Sequence, residues 1–207
     1  MASLFGRAVL LAACAVFAFG SARAANEDIV AAARQQLGVT VHYDPAYRRL
    51  AYPGGDVPAD RGVCTDVIVR ALRVARAIDL QKQVHEDLAT HLGAYPLQRR
   101  WGASKPDPNI DHRRVPNLMT YFGRAGFAIA ATGNATDYLP GDIVAWDLGK
   151  GILHIGIVSD RVAATGAPFI VHNIGAGARE EDILFRYTVI GHYRLPTPMP
   201  GSGAGRH

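Results

Sequence analysis

A lone cysteine and two histidines are the residues of this sequence best suited to covalent chemistry. Of the two cysteines, Cys14 lies in a leader-like segment, so Cys64 is the thiol that a mature chain keeps. Cys64 opens the run CTDVIVRALRVA, in which apolar residues recur at helical spacing. A thiol in the first turn of a helix lies among free backbone N–H groups, at the positive end of the helix dipole. We therefore expect a lowered thiol pKa and a nucleophile near neutral pH.

A cysteine nucleophile needs a base, and two of the eight histidines are placed to act as one. His154 lies in the β-rich run ILHIGIVSD, and His172 lies in PFIVHNIG, just before Asn173. Two neighbouring strands would bring both imidazoles to one face of a sheet. Either histidine alone is typical of a core residue bonded to the backbone. The pair together with Cys64 favours a catalytic site.

The segments that position these residues fall into a helical part and a β-rich part. Helical patterns cover Asn26–Gly38, Cys64 to about Ile78, Leu80–Leu92 and Asn117–Ala125, with Asn117 as an N-cap. Strand patterns cover Val39–Tyr43, Gly141–Leu148, Ile152–Asp160, Pro168–Gly175 and Asp182–Leu195. Gly149-Lys150-Gly151 indicates a hairpin turn between two of these strands. Helices followed by antiparallel strands predict an α+β domain.

The N-terminus has the layout of a secretory signal peptide. Arg7 precedes an apolar run from Ala8 to Phe19, and Ala22-Arg23-Ala24 forms a cleavage site. Leu11-Ala12-Ala13-Cys14 also resembles a lipoprotein cleavage box, although the apolar run continues beyond it. We expect a periplasmic or secreted protein, with lipid anchoring at Cys14 as the alternative. Residues 1–24 would be the leader, 25–195 a single domain and 196–207 a disordered tail.

Charge and hydropathy limit the partners. Loss of Arg7 and Arg23 with the leader lowers the net charge from +4 to +2. Because no run of Lys and Arg is interleaved with aromatic residues, the sequence gives no indication of nucleic-acid binding. The apolar run is shorter than the ~20 residues that a membrane-spanning helix needs. We expect a monomer that has no cofactor, binds no nucleic acid and is not inserted stably in a membrane.

Four motifs together resemble the NlpC/p60 branch of the papain-like cysteine peptidases: GVCTDVIVRAL, PGDIVAWDL, HIGIVSD and IVHNIG. From about Asn26 to Leu195, longer runs such as YDPAYRRLAYPGGDVPADRGVCTD and NIDHRRVPNL resemble a bacterial family named domain of unknown function 1287. The resemblance implies a papain-like fold, in which the helix of the nucleophile packs on a C-terminal antiparallel sheet.

The resemblance also implies roles for individual residues. Cys64 would be the nucleophile, His154 the general base and His172 the third residue that orients it, with Asn173 as a competitor for that third role. The implied reaction is hydrolysis of amide bonds in bacterial cell-wall peptides, often next to D-amino acids. Members usually carry Asp-Cys-Ser-Gly at the nucleophile, whereas this chain has Val63-Cys64-Thr65-Asp66, which is a departure at the substrate site.

Four residues are candidates for contact with such a substrate: Asp66, Arg113, Arg114 and Asn173. Arginines bind carboxylates through two parallel hydrogen bonds, so Arg113 and Arg114 would suit an acidic peptide. Ordinary surface ion pairing is the alternative explanation for both arginines.

Three other functions stay open at this stage. A thioester at Cys64 could pass its acyl group to an amine instead of water, as in acyltransferases of the same superfamily. Cys64, His154, His172 and His192 offer ligands that suit zinc, although no paired-ligand spacing is present. The chain could also be a non-catalytic module that binds the cell wall.

Overall fold

The computed structural model describes residues 26–196 and confirms the α+β class, with helices first and an antiparallel sheet second. The helices are α1 (residues 26–34), α2 (Cys64–Arg76), α3 (Leu80–Thr90), α4 (Leu97–Trp101) and α5 (Val115–Arg124). Short 3₁₀ helices occupy Leu92–Ala94, Asp111–Arg113 and Ala135–Asp137. Among these described residues, none of the helices combines the length and the apolar character needed to span a bilayer.

The strands form a small parallel pair and one large sheet. The pair consists of β1 (His42–Tyr43) and β2 (Arg61–Gly62). The sheet consists of β3 (Ala128–Ile129), β4 (Ile143–Asp147), β5 (Leu153–Val162), β6 (Pro168–Asn173), β7 (Ala178–Glu181) and β8 (Thr188–Tyr193). Its order is β3-β8-β4-β5-β6-β7, and every neighbouring pair is antiparallel.

Two apolar clusters lie on the two faces of this sheet. On the helical side, Ile155 and Ile157 of β5 pack with Ile68 and Leu72 of α2. The other cluster contains Trp146 of β4 together with residues of β5 and β6. Because successive strand residues face opposite sides, His154 and Gly156 belong to the Trp146 side.

Helix α2 forms because one of its faces is apolar and its ends are capped. Val67 and Leu72 are buried on that face. At the N-terminus the Asp66 carboxylate accepts a 2.6 Å hydrogen bond from the Val63 N–H, which satisfies a donor ahead of the first turn. At the C-terminus Ala77 adopts a left-handed conformation with φ 52°. The helix therefore begins at Cys64 as expected and ends two residues before Ile78.

The β4–β5 hairpin fixes the register of the site. Gly149, Lys150 and Gly151 all have positive φ, at 99°, 55° and 75°. Such a turn suits glycine and confirms the predicted hairpin. The resulting register sets Trp146 directly opposite His154.

Several boundaries differ from the sequence expectations. The N-cap of α5 is Arg114, not Asn117. The helix starts earlier than expected because Pro116, which has no N–H to donate, is well accommodated in a first helical turn. Asn117 is instead buried and donates to the Asp111 carbonyl at 3.0 Å. Strand β7 was not expected, because it has only four residues and three of them are charged, so it lacks the apolar pattern of a strand. The predicted leader, and the tail beyond residue 196, lie outside the described residues.

Candidate active site

The thiol of Cys64 lies at the start of α2, where a cavity reaches it. Cys64 is 5% exposed and lines a cavity of about 260 Å³ together with Tyr43, Val63, Trp101 and Arg114. The sulfur is therefore buried but faces a space that a substrate group can enter.

Backbone N–H groups surround the sulfur. Those of Ile155, Thr65 and Cys64 itself favour its negative charge, while burial and the nearby Asp66 carboxylate oppose it. Burial is the largest of these influences and raises the pKa of the Cys64 thiol to about 12. The expected lowering of this pKa is therefore wrong, because desolvation outweighs the helix N-terminus. The resting protein holds a neutral thiol.

The two strand histidines contact each other through their rings. His154 Nε2 lies 3.0 Å from His172 Nδ1, and the rings meet edge to face with centroids 5.0 Å apart. Both residues are buried, at 2% and 0% exposure. This contact depends on Gly156, where an added Cβ would lie 3.1 Å from His172 Cβ and 2.6 Å from Ile170 Cγ2. A side chain at position 156 would occupy the space that the second imidazole needs.

A carboxylate lies at the far end of the imidazole pair. His172 Nε2 is 3.1 Å from Glu181 Oε2 on β7, an ion-pair distance whose orientation is not that of a hydrogen bond. A proton on His172 Nε2, facing this carboxylate, leaves Nδ1 as an acceptor. His154 then donates from Nε2, and its Nδ1 stays unprotonated. Glu181 thus favours the tautomer in which His154 is a base.

Burial keeps both imidazoles neutral. It lowers the pKa of His154 to about 3, and the charge of His172 acts in the same direction. Burial also lowers the pKa of His172, an effect that Glu181 partly opposes. The Trp146 indole stacks on the His154 ring with centroids 5.7 Å apart, and its Nε1–H donates to the Leu184 carbonyl at 2.8 Å. Trp146 therefore limits the orientations that His154 can adopt.

Cys64 and the imidazole pair are neighbours through the backbone. The peptide N–H that faces the sulfur is that of Ile155, the residue directly after His154. Within residues 26–196, neither imidazole is among the hydrogen-bond partners of the thiol. Cys64 packs with the apolar cluster on the helical face of the sheet, whereas the His154 ring lies against Trp146 on the opposite face. Transfer of the thiol proton to His154 therefore requires the start of β5 to rearrange so that the imidazole reaches the helical face.

Asp66 and Arg113 form a buried ion pair beneath the cavity. Arg113 Nε and Nη2 donate to the two carboxylate oxygens of Asp66 at 3.0 and 2.9 Å. Nη1 and Nη2 also donate to the carbonyls of Ala46 and Asp44, at 3.1 and 3.0 Å. The two side chains are only 2% and 3% exposed, so their polar groups are occupied within the protein. They hold the 44–46 segment against α2. The sequence had suggested contact with a substrate for both residues, but their polar groups are bonded within the protein.

The family is decided by two comparisons. A family model described as "Domain of unknown function (DUF1287)" matches residues 30–195. This chain belongs to the DUF1287 family. "Uncharacterized protein YijF" of Escherichia coli (strain K12) is 55% identical over 169 residues, which cover 82% of this chain and 81% of that protein. No solved structure matches the chain. The DUF1287 match includes Cys64, both histidines and Glu181.

Of the two candidates for the third position in this DUF1287 chain, His172 is the one that contacts His154. Asn173, the competing candidate, is buried with its side chain directed elsewhere. Its Nδ2 donates to the Gly62 carbonyl at 3.0 Å, and its Oδ1 accepts from the Gly175 N–H at 3.2 Å. Asn173 therefore holds the segment that leads into Cys64, and no free amide is left for a substrate.

Arg114 lies at the cavity, as the sequence reasoning supposed. Its Cζ is 4.1 Å from the centroid of the Trp101 ring, and both residues line the cavity that reaches Cys64. Of the four candidates, Arg113 and Arg114 line this cavity, and Arg114 is the one that is not bonded to Asp66.

Sequence reasoning missed Glu181, Trp146 and Tyr43. Tyr43 lines the cavity, and burial together with the nearby Cys64 raises its pKa. Trp146 could have been found from the hairpin register, which sets it opposite His154. Glu181 had no comparable signal, because its strand was not predicted.

The four residues suggested as zinc ligands do not form one cluster, because His192 is bonded elsewhere. His192 Nδ1 lies 3.1 Å from the Ala130 carbonyl, and its Nε2 lies 2.8 Å from Asp142. Across residues 26–196, no group of three or more His, Cys, Asp or Glu side chains could hold a metal ion.

Proposed function

We propose that this protein is an exported thiol hydrolase with an NlpC/p60-like, papain-type fold that cleaves amide bonds in cell-wall peptides. The observation that supports this most is the His154–His172–Glu181 arrangement, joined to a thiol at a helix start through the N–H of Ile155, the residue after His154. A nucleophile, a base held in one tautomer and a group that orients the base are the parts that thiol hydrolysis needs.

In the proposed first half-reaction, His154 Nδ1 accepts the thiol proton while the Cys64 sulfur attacks the amide carbon. Backbone N–H groups at the start of α2 stabilise the oxyanion of the tetrahedral intermediate. When this intermediate collapses, the C–N bond breaks and His154 returns the proton to the leaving amine. A thioester at Cys64 and a free amine are the products.

In the second half-reaction, water attacks the thioester carbon. His154 takes a proton from this water, and the carbon–sulfur bond breaks. The thiolate regains its proton from His154, and the carboxylic acid leaves. A thiol pKa of about 12 and a His154 pKa of about 3 favour proton transfer concerted with attack over a preformed ion pair.

The cell-wall substrate rests on the sequence. The leader-like N-terminus would export the chain, and the resemblance to NlpC/p60 proteins implies peptide amides of the cell wall. The cavity beside Cys64 is lined by arginines and aromatic residues, which suits a peptide with acidic groups.

Digestion of cell-wall sacculi tests the proposal. Purified residues 25–207 and the Cys64→Ala variant are each incubated with sacculi, and soluble products are identified by mass spectrometry. We expect peptides with new amine and carboxylate ends from the wild type alone. His91→Gln, a change at an exposed histidine outside the site, is the matched control and should release the same products.

Two outcomes would contradict the proposal. Product profiles that are empty for both proteins would reject the cell-wall substrate, and equal release by Cys64→Ala would reject the thiol mechanism. Addition of an amine acceptor distinguishes the acyltransferase alternative, because that activity would convert the acyl product into a new amide. A non-catalytic binding module would bind sacculi without releasing peptides.

A further inference from the structure

Two further cavities adjoin the cavity beside Cys64 along α4. A second cavity, of about 350 Å³, shares Arg100, Pro116 and Leu153 with the first. A third, of about 470 Å³, shares Arg99 and other residues of the α4 region with the second. Shared lining residues place the three cavities side by side along α4. We call this row of cavities the arginine groove, after Arg99, Arg100 and Arg114.

The charge of the groove near the thiol is strongly positive. Its first cavity is lined by Arg100, Arg113 and Arg114, and no carboxylate lines it. Arg113 is neutralised by Asp66 at 2.9 Å. In the described part of the chain, neither Arg100 nor Arg114 forms an ion pair of its own. Two guanidinium groups therefore face the cavity without a carboxylate bonded to either, although Asp107 and Asp111 lie close enough to Arg114 to interact with its charge.

Arg114 is held in a defined orientation. Its guanidinium stacks on Trp101 at 4.1 Å, and a stacked guanidinium keeps its N–H edge available for a planar carboxylate. Arg114 is also the N-cap of α5, so the positive end of that helix dipole lies beside it. Asp111 and Asp107 only partly offset the burial of Arg114. This environment favours the arrival of an anion.

We propose that Arg114 and Arg100 form a carboxylate-binding subsite that selects acidic peptides for cleavage at Cys64. The inference rests on the proposed function and adds the chemical class of the substrate. An extended peptide would lie along the arginine groove, with one of its carboxylates bound by Arg114 next to the amide that Cys64 attacks. A peptide whose carboxylates are amidated lacks this interaction.

Binding to an inactive protein tests the subsite independently of hydrolysis. The Cys64→Ala protein is titrated with muropeptides released from sacculi by a muramidase, and with the same muropeptides after amidation of their carboxylates. Trp101 is 39% exposed while Trp146 is fully buried, and these are the two tryptophans of the chain, so emission changes report on Trp101. We expect the carboxylate form to bind about tenfold more tightly or better, as loss of a charged hydrogen bond costs about 1.5–3 kcal/mol.

Substitutions in the arginine groove test whether its arginines cause the preference for muropeptides with free carboxylates. In the Cys64→Ala background, Arg114→Ala and Arg100→Ala should each bring the two affinities closer, with Arg114→Ala having the larger effect. Arg186→Ala is the matched control, because Arg186 also lies over an aromatic ring, 5.7 Å from the Tyr187 centroid, but lines a separate cavity. Circular dichroism confirms that each variant is folded.

The outcomes separate this inference from the proposed function. Equal affinity for both muropeptide forms, absence of binding, or a preference that survives both groove substitutions would overturn the subsite. If wild type hydrolyses sacculi without any preference for the carboxylate form, the amidase stands and the subsite is rejected. If the preference depends on Arg114 but nothing is hydrolysed, the subsite stands and the amidase is rejected.

Discussion

Two buried histidine centres lie in the same sheet and differ in how completely they are bonded. In the first, His154 contacts His172, which faces a Glu181 side chain that is 41% exposed. In the second, His192 Nε2 lies 2.8 Å from Asp142, a carboxylate that Arg194 also binds at 2.7 Å. Both centres pair imidazole with carboxylate, so composition alone does not distinguish them.

The two centres differ in whether a ring nitrogen of the histidine is left without a hydrogen-bond partner. Both ring nitrogens of His192 lie within hydrogen-bond distance of an oxygen, and its ring stacks on Tyr138 with centroids 4.3 Å apart. Such a closed network stabilises a fold, because each buried polar group has a partner. At the first centre, the tautomer favoured by Glu181 leaves Nδ1 of His154 without a proton. The two centres therefore differ in whether an imidazole nitrogen is left free to accept a proton.

The largest expected effect concerns the base. His154→Gln should reduce kcat for muropeptide hydrolysis by about 10³-fold, since general base catalysis contributes roughly 10²–10⁴-fold. His192→Gln, measured at a temperature where it is folded, should leave kcat nearly unchanged. Steady-state kinetics of both variants compare the centres directly. A similar loss in the two variants would remove the distinction between them.

The second expected effect concerns stability at the closed centre. Asp142→Asn should lower the free energy of unfolding by about 3 kcal/mol or more, because it leaves Arg194 and His192 without their buried anion. Asp137→Asn, a change at an exposed residue of the same region, should stay within about 0.5 kcal/mol. Urea denaturation measures both. If Asp142→Asn is as stable as the control, the closed network has no structural role.

A third effect depends on pH. Unfolded histidine takes up a proton below a pKa of about 6.5, whereas His154 in the folded state does so only near pH 3. The stability that neutral His154 contributes is therefore complete above pH 6.5 and is lost as the pH falls towards 3. At pH 5 the loss is about 2 kcal/mol for one such histidine.

Burial of His112, which lowers its pKa to about 4, acts in the same direction. Urea denaturation at pH 7 and pH 5 should therefore show a fall in stability. This fall should be smaller by about 2 kcal/mol in His154→Gln, since that variant has no imidazole to protonate at position 154. An unchanged fall in the variant would show that His154 is not held neutral by burial.

The smallest expected effect concerns the carboxylate behind the imidazole pair. Glu181→Ala should lower kcat by about tenfold with little change in KM, because the favoured His154 tautomer loses its anchor. Glu181→Gln retains an acceptor for His172 Nε2–H and should recover part of this loss. Glu180→Gln is the matched control, as Glu180 instead binds Arg34 at 2.7 Å. Equal rates for all three proteins would exclude a positioning role for Glu181.

The sequence predicted much of the fold because its signals are local. Helical periodicity located the start of α2 at Cys64, and the Gly-Lys-Gly turn indicated the β4–β5 hairpin. Adjacent β-rich runs predicted the contact between His154 and His172. These inferences need only short-range patterns and the alternation of strand residues.

The rest of the site depends on contacts that such patterns do not encode. Glu181 lies near His172 because of the register between β6 and β7, which the turn at 174–177 determines. Asp66 contacts Arg113, a residue 47 positions later in the chain. The direction of the thiol pKa shift was mispredicted for the same reason. A helix start can be recognised from sequence, whereas the burial that outweighs it arises only when α2 packs on the sheet.

The Arg113 guanidinium fastens the cavity wall to the helix that carries the thiol. Moving the 44–46 segment away would remove the carbonyl acceptors that Ala46 and Asp44 provide for the buried Arg113 guanidinium, at a cost of roughly 1–3 kcal/mol for each hydrogen bond lost. These hydrogen bonds hold the 44–46 segment at the edge of the cavity, where Pro45 is one of the lining residues. We therefore expect the thickness of a ligand to limit its entry before any bond is broken, so that single peptide chains would enter more readily than folded proteins.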